Sequence, residues 1–355
     1  MNNLSTVTNI RVDDLSSMVA RKNMVTKAMI LPFVDGVETI SDILSLSYQP
    51  GIKLITAGAV TTDITQAAHR AEIDLVERLG SSPFASEYRA TLKGIMSARD
   101  LVYVANPNRV TGAHFSLSEL EGLARAVPRG MLLIDEHYHD FFGITGASLL
   151  DILTNVIVIR SFTAPFSIAS SDSGYLMAHS TTIASLAAAL GPQRFTLTQR
   201  KLVLASLTNE EATSNRLKEV HDESLRVTTA LGRLRIPSRI CATDFLLIQV
   251  GDPASAGNHL AAEKIRVDNL DGYPQMRGYL RYRLQSPLSN DRLVRAFKTM
   301  PPEHLYPSRP DRSATRLIQG AARPPEATLT KSLAEEDWLT RLQRVSITRE
   351  KTEMP

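Results

Sequence analysis

The sequence predicts an α/β fold, built on a parallel sheet with covered faces and followed by a smaller α+β domain. Between residues 24 and 195, short apolar runs alternate with amphipathic segments, as strands and helices do in a covered parallel sheet. From residue 196 a long helical pattern precedes shorter runs that alternate like strands. The chain has 355 residues, 43% hydrophobic and 22% charged, which is enough to bury a large core.

The elements of the first part follow one another without an internal repeat. The runs MILPFV, IKLITAG and LVYVANPN read as strands, and the segments TISDILSLS, TQAAHRAEIDLVERL and SLSELEGLARAV after them read as helices. MLLIDEHY, NVIVIRSF and GYLMA read as further strands, and TIASLAAAL as a helix. Ser116 and Glu119 have the spacing of a capping box, so we expect a helix to begin there.

Four regions are predicted along the chain. Residues 1–23 form a short N-terminal segment, 24–195 the large domain, and 196–300 the small domain. The small domain is predicted to contain one long helix from Thr196 to Leu234, the strands FLLIQV, KIRVDN and YLRYRLQ, and the helix DRLVRAFKTM. Residues 301–355 are rich in Pro and Arg and read as a tail, with a candidate amphipathic helix at 329–344.

Charge and cysteine content narrow the class of protein. The 40 basic and 37 acidic residues are mixed along the chain, so no nucleic-acid-binding stripe is predicted. The single cysteine, Cys241, allows no internal disulfide and fits a reducing compartment. The sequence has neither an apolar signal core nor an apolar run of membrane-spanning length, so we expect a cytoplasmic protein without a membrane partner.

Polar residues follow three of the predicted strands. The segments 106–112, 135–138 and 160–161 come after LVYVA, MLLI and NVIVI. Ligands bind beyond the carboxyl ends of parallel strands, so these segments are predicted to meet at one crevice. His137 and His139 flank Tyr138, and His114 follows the first segment. An acid–base pair with Asp135 is conceivable, whereas hydrogen-bonded histidines without a metal are the ordinary outcome.

Several motifs in order resemble a known family. NPNRVTG, LLIDEHYHDF, VIVIRSF and SGYLMA are similar to motifs of the fold-type-I pyridoxal-phosphate aminotransferases, with the histidinol-phosphate aminotransferase branch the best match. The resemblance runs from about residue 24 to 300 and includes DGVETISDIL and GYLRYRLQS. It implies the fold-type-I architecture, in which the large domain has a mixed, mostly parallel sheet and is followed by a smaller α+β domain. It also implies a dimer with its sites near the interface.

The resemblance also implies roles for individual residues. Asp135 matches the carboxylate that pairs with the pyridinium nitrogen, and Tyr138 the phenol that bonds the ring hydroxyl. Arg281 matches the arginine that grips the substrate carboxylate. The cofactor phosphate is expected at a helix start, which matches Gly36, Val37 and the residues up to Thr39. Ser161 matches a hydroxyl that also contacts this phosphate.

The sequence departs from the family pattern at the cofactor. Ala164 stands where the family has the Schiff-base lysine, and alanine has no amine. Asp172 matches the position of a phosphate-binding arginine. Arg109 matches that of the asparagine before PTG and is counted among the expected cofactor-binding residues. Thr61 and Thr62 stand where an aromatic would stack on the ring. The lysines nearest in sequence, Lys93 and Lys201, lie outside the loop.

These departures predict an aminotransferase-like protein with a degenerate cofactor site that acts by binding a small molecule or a partner. The ligand is expected to be an amino acid or another carboxylate, and pyridoxal phosphate only if residual non-covalent binding survives. The chain is predicted to form a homodimer, or a heterodimer with an active homologue. Two alternatives remain open: a functional pyridoxal-phosphate aminotransferase in biosynthesis, and a cofactor-independent enzyme that reuses the crevice.

Overall fold

The computed structural model describes residues 12–80, 82, 84, 88–162 and 173–306. The chain folds into two compact units. Among the described residues, the first unit runs to Asp222 and also contains Cys241–Asp244, and the second contains Glu223–Ile240 and residues 245–306. The division between the two units falls inside a long helix that follows residue 196, where the sequence predicts a domain boundary.

A seven-stranded sheet forms the centre of the first unit. Its strands are β1 (Ile30–Phe33), β2 (Lys53–Ala57), β3 (Asp74–Arg78), β4 (Leu101–Ala105), β5 (Met131–Asp135), β6 (Val156–Ser161) and β7 (Gly174–Ala178). The spatial order is β1-β7-β6-β5-β4-β2-β3. Neighbours from β3 to β6 pair in parallel, and β7 runs antiparallel to both β6 and β1. The predicted mixed, mostly parallel sheet is therefore confirmed.

Helices connect these strands and cover both faces of the sheet. They are α1 (Val12–Lys22), α2 (Gly36–Ser47), α3 (Thr62–Arg70), α4 (Tyr88–Gly94), α5 (Leu117–Ala126), α6 (His139–Phe142), α7 (Ser180–Leu190) and α8 (Leu197–Thr208), followed by α9 (Glu210–Arg233). The predicted capping box at α5 is confirmed, because the Ser116 hydroxyl and the Glu119 side chain each bond the other residue's backbone amide.

Strand side chains alternate between two apolar cores. Leu54, Leu101 and Leu133 pack on one face, and Ile55, Val102 and Leu132 on the other. All are at most 1% exposed. A central strand that buries both faces needs apolar residues at every position, which is why these strands read as continuous apolar runs.

The second unit contains a four-stranded antiparallel sheet of order β10-β11-β9-β8. The strands are β8 (Ser238–Ile240), β9 (Phe245–Gln249), β10 (Asp268–Asn269) and β11 (Tyr279–Arg283). Three further helices belong to this unit: α10 (Pro253–Ala262), α11 (Pro287–Thr299) and α12 (Pro302–Leu305).

One predicted helix was wrong in its second half. TQAAHRAEIDLVERL was expected to be helical throughout, but α3 ends at Arg70 and the chain resumes as the edge strand β3. Glu72 breaks the helix with a φ of 56°. An edge strand buries little of its surface, so β3 keeps charged residues that read as the polar face of a helix.

Two other segments also differ from the prediction. The single long helix predicted from Thr196 is two helices, because Asn209 lies between α8 and α9 and its side chain accepts a hydrogen bond from the Ala212 amide. The N-terminal segment contains α1, which the sequence analysis did not predict and whose Leu15 and Val19 join the core.

In the described part of the chain, no helix combines the length and the apolarity needed to cross a bilayer. Ala164, Asp172 and the candidate helix at 329–344 lie outside the described residues.

Candidate functional site

Asp135 ends β5 at the carboxyl edge of the large sheet and is 4% exposed. Its Oδ2 atom accepts a hydrogen bond from the Tyr103 hydroxyl at 2.7 Å, and its Oδ1 atom accepts one from the His137 amide at 2.9 Å. Burial and the neighbouring Asp135 carboxylate raise the pKa of Tyr103 well above its usual value. The phenol therefore remains a neutral donor that stabilises the carboxylate.

Arg109 lies between two carboxylates. Its Nη1 atom is 2.9 Å from Asp63 Oδ2 and 3.5 Å from Asp135 Oδ2. Burial alone would lower the pKa of Arg109, but the charges of Asp135 and Asp63 outweigh it and raise the pKa. Burial likewise acts to raise the pKa of Asp63, and the Arg109 charge with local hydrogen bonds turns the shift downward. Arg109 and Asp63 are therefore both charged at neutral pH.

The loop that carries Arg109 is fixed by two buried asparagines. The Asn106 side chain accepts a hydrogen bond from the Phe115 amide at 2.8 Å. Asn108 Oδ1 accepts hydrogen bonds from the amides of Val110 and Thr111, and Asn108 Nδ2 donates to the Ala59 carbonyl at 2.9 Å. Because both ends of this loop are tied to the protein core, the guanidinium is held in place before any ligand arrives.

Tyr138 follows Asp135 along the chain and is 3% exposed. Its ring stands edge-on to the ring of His137, with 4.8 Å between centroids, and also contacts Phe141. His114 instead contacts the ring of Phe142. Among the described residues, no group of three or more His, Cys, Asp or Glu side chains is arranged to hold a metal ion.

A second buried ion pair lies next to the first, on the opposite face of the sheet. Arg160 Nε donates to Glu136 Oε2 at 2.8 Å, and the two residues are 7% and 1% exposed. Glu136 also accepts hydrogen bonds from the Thr145 hydroxyl and the Gly146 amide. Arg160 donates to Asn23, whose side-chain amide donates to the Tyr175 hydroxyl. These contacts tie β6 and β7 to the segment after α1.

The start of α2 carries its own carboxylate. Asp35 is the N-cap, and its Oδ1 atom accepts a hydrogen bond from the Glu38 amide at 2.8 Å. Gly36 and Val37, the predicted phosphate-binding residues, form the first turn of this helix. The carboxylate therefore satisfies an amide that a bound anion would otherwise use.

Ser161 is the last residue of β6. It lines a small cavity of about 20 Å³ together with Lys22, Asp140 and Tyr175.

Arg281 belongs to the second unit, where it lies on β11. Its Nε atom is 2.9 Å from Asp268 Oδ2, and its guanidinium carbon lies 5.5 Å from the centroid of the Phe245 ring. The Asp268 side chain is 62% exposed, so this pair is weak and accessible to competing carboxylates.

In the first unit, the structure places Asp135 beside Arg109, with Tyr138 close in sequence and Ser161 at the end of the neighbouring strand. Sequence reasoning did not single out Tyr103 or Asp63. The signal for Tyr103 was a phenol inside an otherwise apolar strand. Asp63 was hidden because an acid in the first turn of a helix is ordinary.

Comparison with known proteins identifies the family. Residues 40–296 match the model of the family described as aminotransferase class I and II. The chain is 29% identical over 199 residues to a histidinol-phosphate aminotransferase of Chlorobium luteolum, covering 56% of each chain. It is 24% identical over 251 residues to that of Chlorobium chlorochromatii, covering 70% of this chain and 69% of the relative. The chain thus spans little more than half the length of most of these curated relatives.

A solved structure shares the fold. The histidinol-phosphate aminotransferase of Sinorhizobium meliloti, in complex with pyridoxal-5'-phosphate, superposes with a TM-score of 0.72 at 18% identity, over 84% of both chains. This likeness confirms the predicted fold-type-I architecture.

Proposed function

The chain belongs to the aminotransferase class I and II family, and from this premise we propose that it binds a small molecule in the crevice at the carboxyl edge of its large sheet without forming a Schiff base. The ligand is an amino acid or a related carboxylate. Ala164, which by resemblance stands at the lysine position, supports the proposal because a methyl group cannot form an imine.

The observation that carries this proposal is the ion pair between Arg109 and Asp135. When bound in this family, pyridoxal phosphate supplies an electron sink, and a carboxylate opposite the ring nitrogen keeps that nitrogen protonated. Here the carboxylate that matches this role already accepts the Tyr103 hydroxyl and has a guanidinium 3.5 Å away. A pyridinium at Asp135 would therefore face Arg109, a like charge.

The start of α2 gives independent support. The Asp35 carboxylate caps the helix whose first amides match the phosphate site, and it would repel a phosphate dianion. Asp172, matched to the phosphate-binding arginine, carries the same sign. The residues present therefore do not fit pyridoxal phosphate at either its ring or its phosphate end.

Borohydride trapping tests the proposal. The protein is incubated with pyridoxal phosphate, reduced with borohydride and examined by intact mass spectrometry, alongside the Chlorobium luteolum enzyme as a positive control. We expect the control to gain one reduced pyridoxyl phosphate group and this chain to keep its mass. A stoichiometric gain at a single lysine, mapped by peptide digestion, would disprove the proposal and identify the lysine that forms the imine.

A further inference from the structure

The contacts of Arg109 define a cation site that is occupied from within the chain. Its Nη1 atom reaches Asp63 Oδ2 at 2.9 Å and Asp135 Oδ2 at 3.5 Å. The two carboxylates come from the first turn of α3 and the end of β5. One nitrogen with its N–H donors thus bridges acids from two separate elements.

The charge balance explains why this position requires a cation. Asp135 is 4% exposed and Asp63 is only partly exposed, so both carboxylates are partly removed from water. Tyr103 donates a neutral hydrogen bond to Asp135 and brings no charge. Without the guanidinium, two neighbouring acids would repel each other in a poorly solvated place.

A guanidinium suits this position by its chemistry, although only its Nη1 atom contacts the two carboxylates. A guanidinium is planar, weakly hydrated and presents several N–H donors, so it can bridge two carboxylates at little desolvation cost. The Arg109 side chain is 26% exposed, so solvent reaches the site. The loop is held by Asn108 through Ala59, Val110 and Thr111, so shortening residue 109 leaves the position of the loop unchanged.

We propose that Asp63, Asp135 and Tyr103 form a binding site for a small delocalised organic cation, and that Arg109 fills this site permanently. The inference rests on the proposed function, because it names the group that takes the place of a protonated cofactor ring at Asp135. Arg109 is accordingly the residue that determines which charge the crevice presents to a ligand. With Arg109 in place, organic cations are excluded from this part of the crevice.

Chemical rescue tests the site. In Arg109→Ala, removal of the guanidinium is expected to lower the melting temperature by roughly 5–10 °C, as expected for loss of a partly buried ion pair. Methylguanidinium at about 10 mM should restore at least half of that loss, because binding to the folded state alone stabilises it. Tetramethylammonium at the same concentration has no N–H donors and should restore nothing.

Two further variants serve as controls. Arg125→Ala removes a guanidinium from an exposed pair with Glu121 and should show no methylguanidinium-dependent gain. In Arg109→Ala combined with Asp63→Asn, one carboxylate is gone and the gain should disappear. A gain in Arg109→Ala no larger than in Arg125→Ala, or an equal gain with tetramethylammonium, would overturn the inference.

The inference stays testable if Arg109→Ala does not fold. Arg109→Asn then replaces it, and recovery from denaturant is measured with and without methylguanidinium. Higher recovery with the cation supports the site, and equal recovery contradicts it. The proposed function fails on a different result, a borohydride-trapped imine in the unaltered protein, so the two failures are distinguishable.

Discussion

At the scale of single residues, His139 lies beside the buried pair of Glu136 and Arg160. Its Nδ1 atom is 3.7 Å from Glu136 Oε2, a distance at which a carboxylate would favour the imidazolium. Burial and the Arg160 charge outweigh the raising effects of the Asp140 charge and the Ile144 carbonyl, so the pKa of His139 falls to about 4. The histidine is therefore neutral in the folded protein at pH 7.

This lowered pKa predicts acid sensitivity. Between pH 6.5 and pH 4 the unfolded chain binds a proton at His139 that the folded protein does not, so the free energy of unfolding decreases as the pH falls. The contribution of His139 lowers the free energy of unfolding by about 3 kcal/mol between pH 7 and pH 4. In His139→Gln this contribution is absent, and urea unfolding at a series of pH values should give a shallower decrease.

His69→Gln is the matched control for this prediction. His69 is an exposed histidine near the end of α3. This variant should keep the full pH dependence of the unaltered protein. Identical curves for His139→Gln and the unaltered protein would contradict the assignment.

At the scale of elements, the loop from Asn106 to Gly112 gives the site its rigidity. Asn108→Ala removes the acceptor for the Val110 and Thr111 amides and the donor to the Ala59 carbonyl. Because these groups lie in a buried region, we expect a loss of about 3 kcal/mol in the free energy of unfolding. Amide hydrogen exchange should also accelerate at Val110 and Thr111.

Asn108→Asp separates the two halves of this prediction. An aspartate keeps an acceptor for the two amides and loses the donor to Ala59. We expect the two amides to remain protected, whereas the loss of stability is at least as large as in Asn108→Ala, because a buried carboxylate would face the Ala59 carbonyl oxygen. Equal exchange rates in all three proteins would show that the asparagine does not fix the loop.

Elements also show where sequence reasoning succeeds. The strands β4, β5 and β6 were predictable because a strand buried on both faces must be apolar throughout. The edge strand β3 was not, because its exposed residues follow no burial pattern. The break at Asn209 was missed because helical periodicity continues on both sides of it.

At the scale of the whole molecule, the sequence allowed the architecture to be predicted, together with the positions of polar residues at the carboxyl edge of the sheet. Asp135 and Ser161 end neighbouring strands of the sheet, as their positions after apolar runs required. The ion pairs were not predictable, because Asp63 and Arg109 are 46 residues apart and meet only when α3 and the loop are placed against β5. The pairing of Arg281 with Asp268 was not predictable either, because it depends on the register between β10 and β11.

We propose that the crevice does not retain pyridoxal phosphate. The most direct test of this proposal is the absorbance spectrum of the purified protein, taken before and after addition of the cofactor and exhaustive dialysis. We expect no cofactor absorbance after dialysis. Arg109 is paired with Asp135, the carboxylate that would face the cofactor ring, and Asp35 would repel the cofactor phosphate. A retained aldimine band that borohydride abolishes would contradict the account.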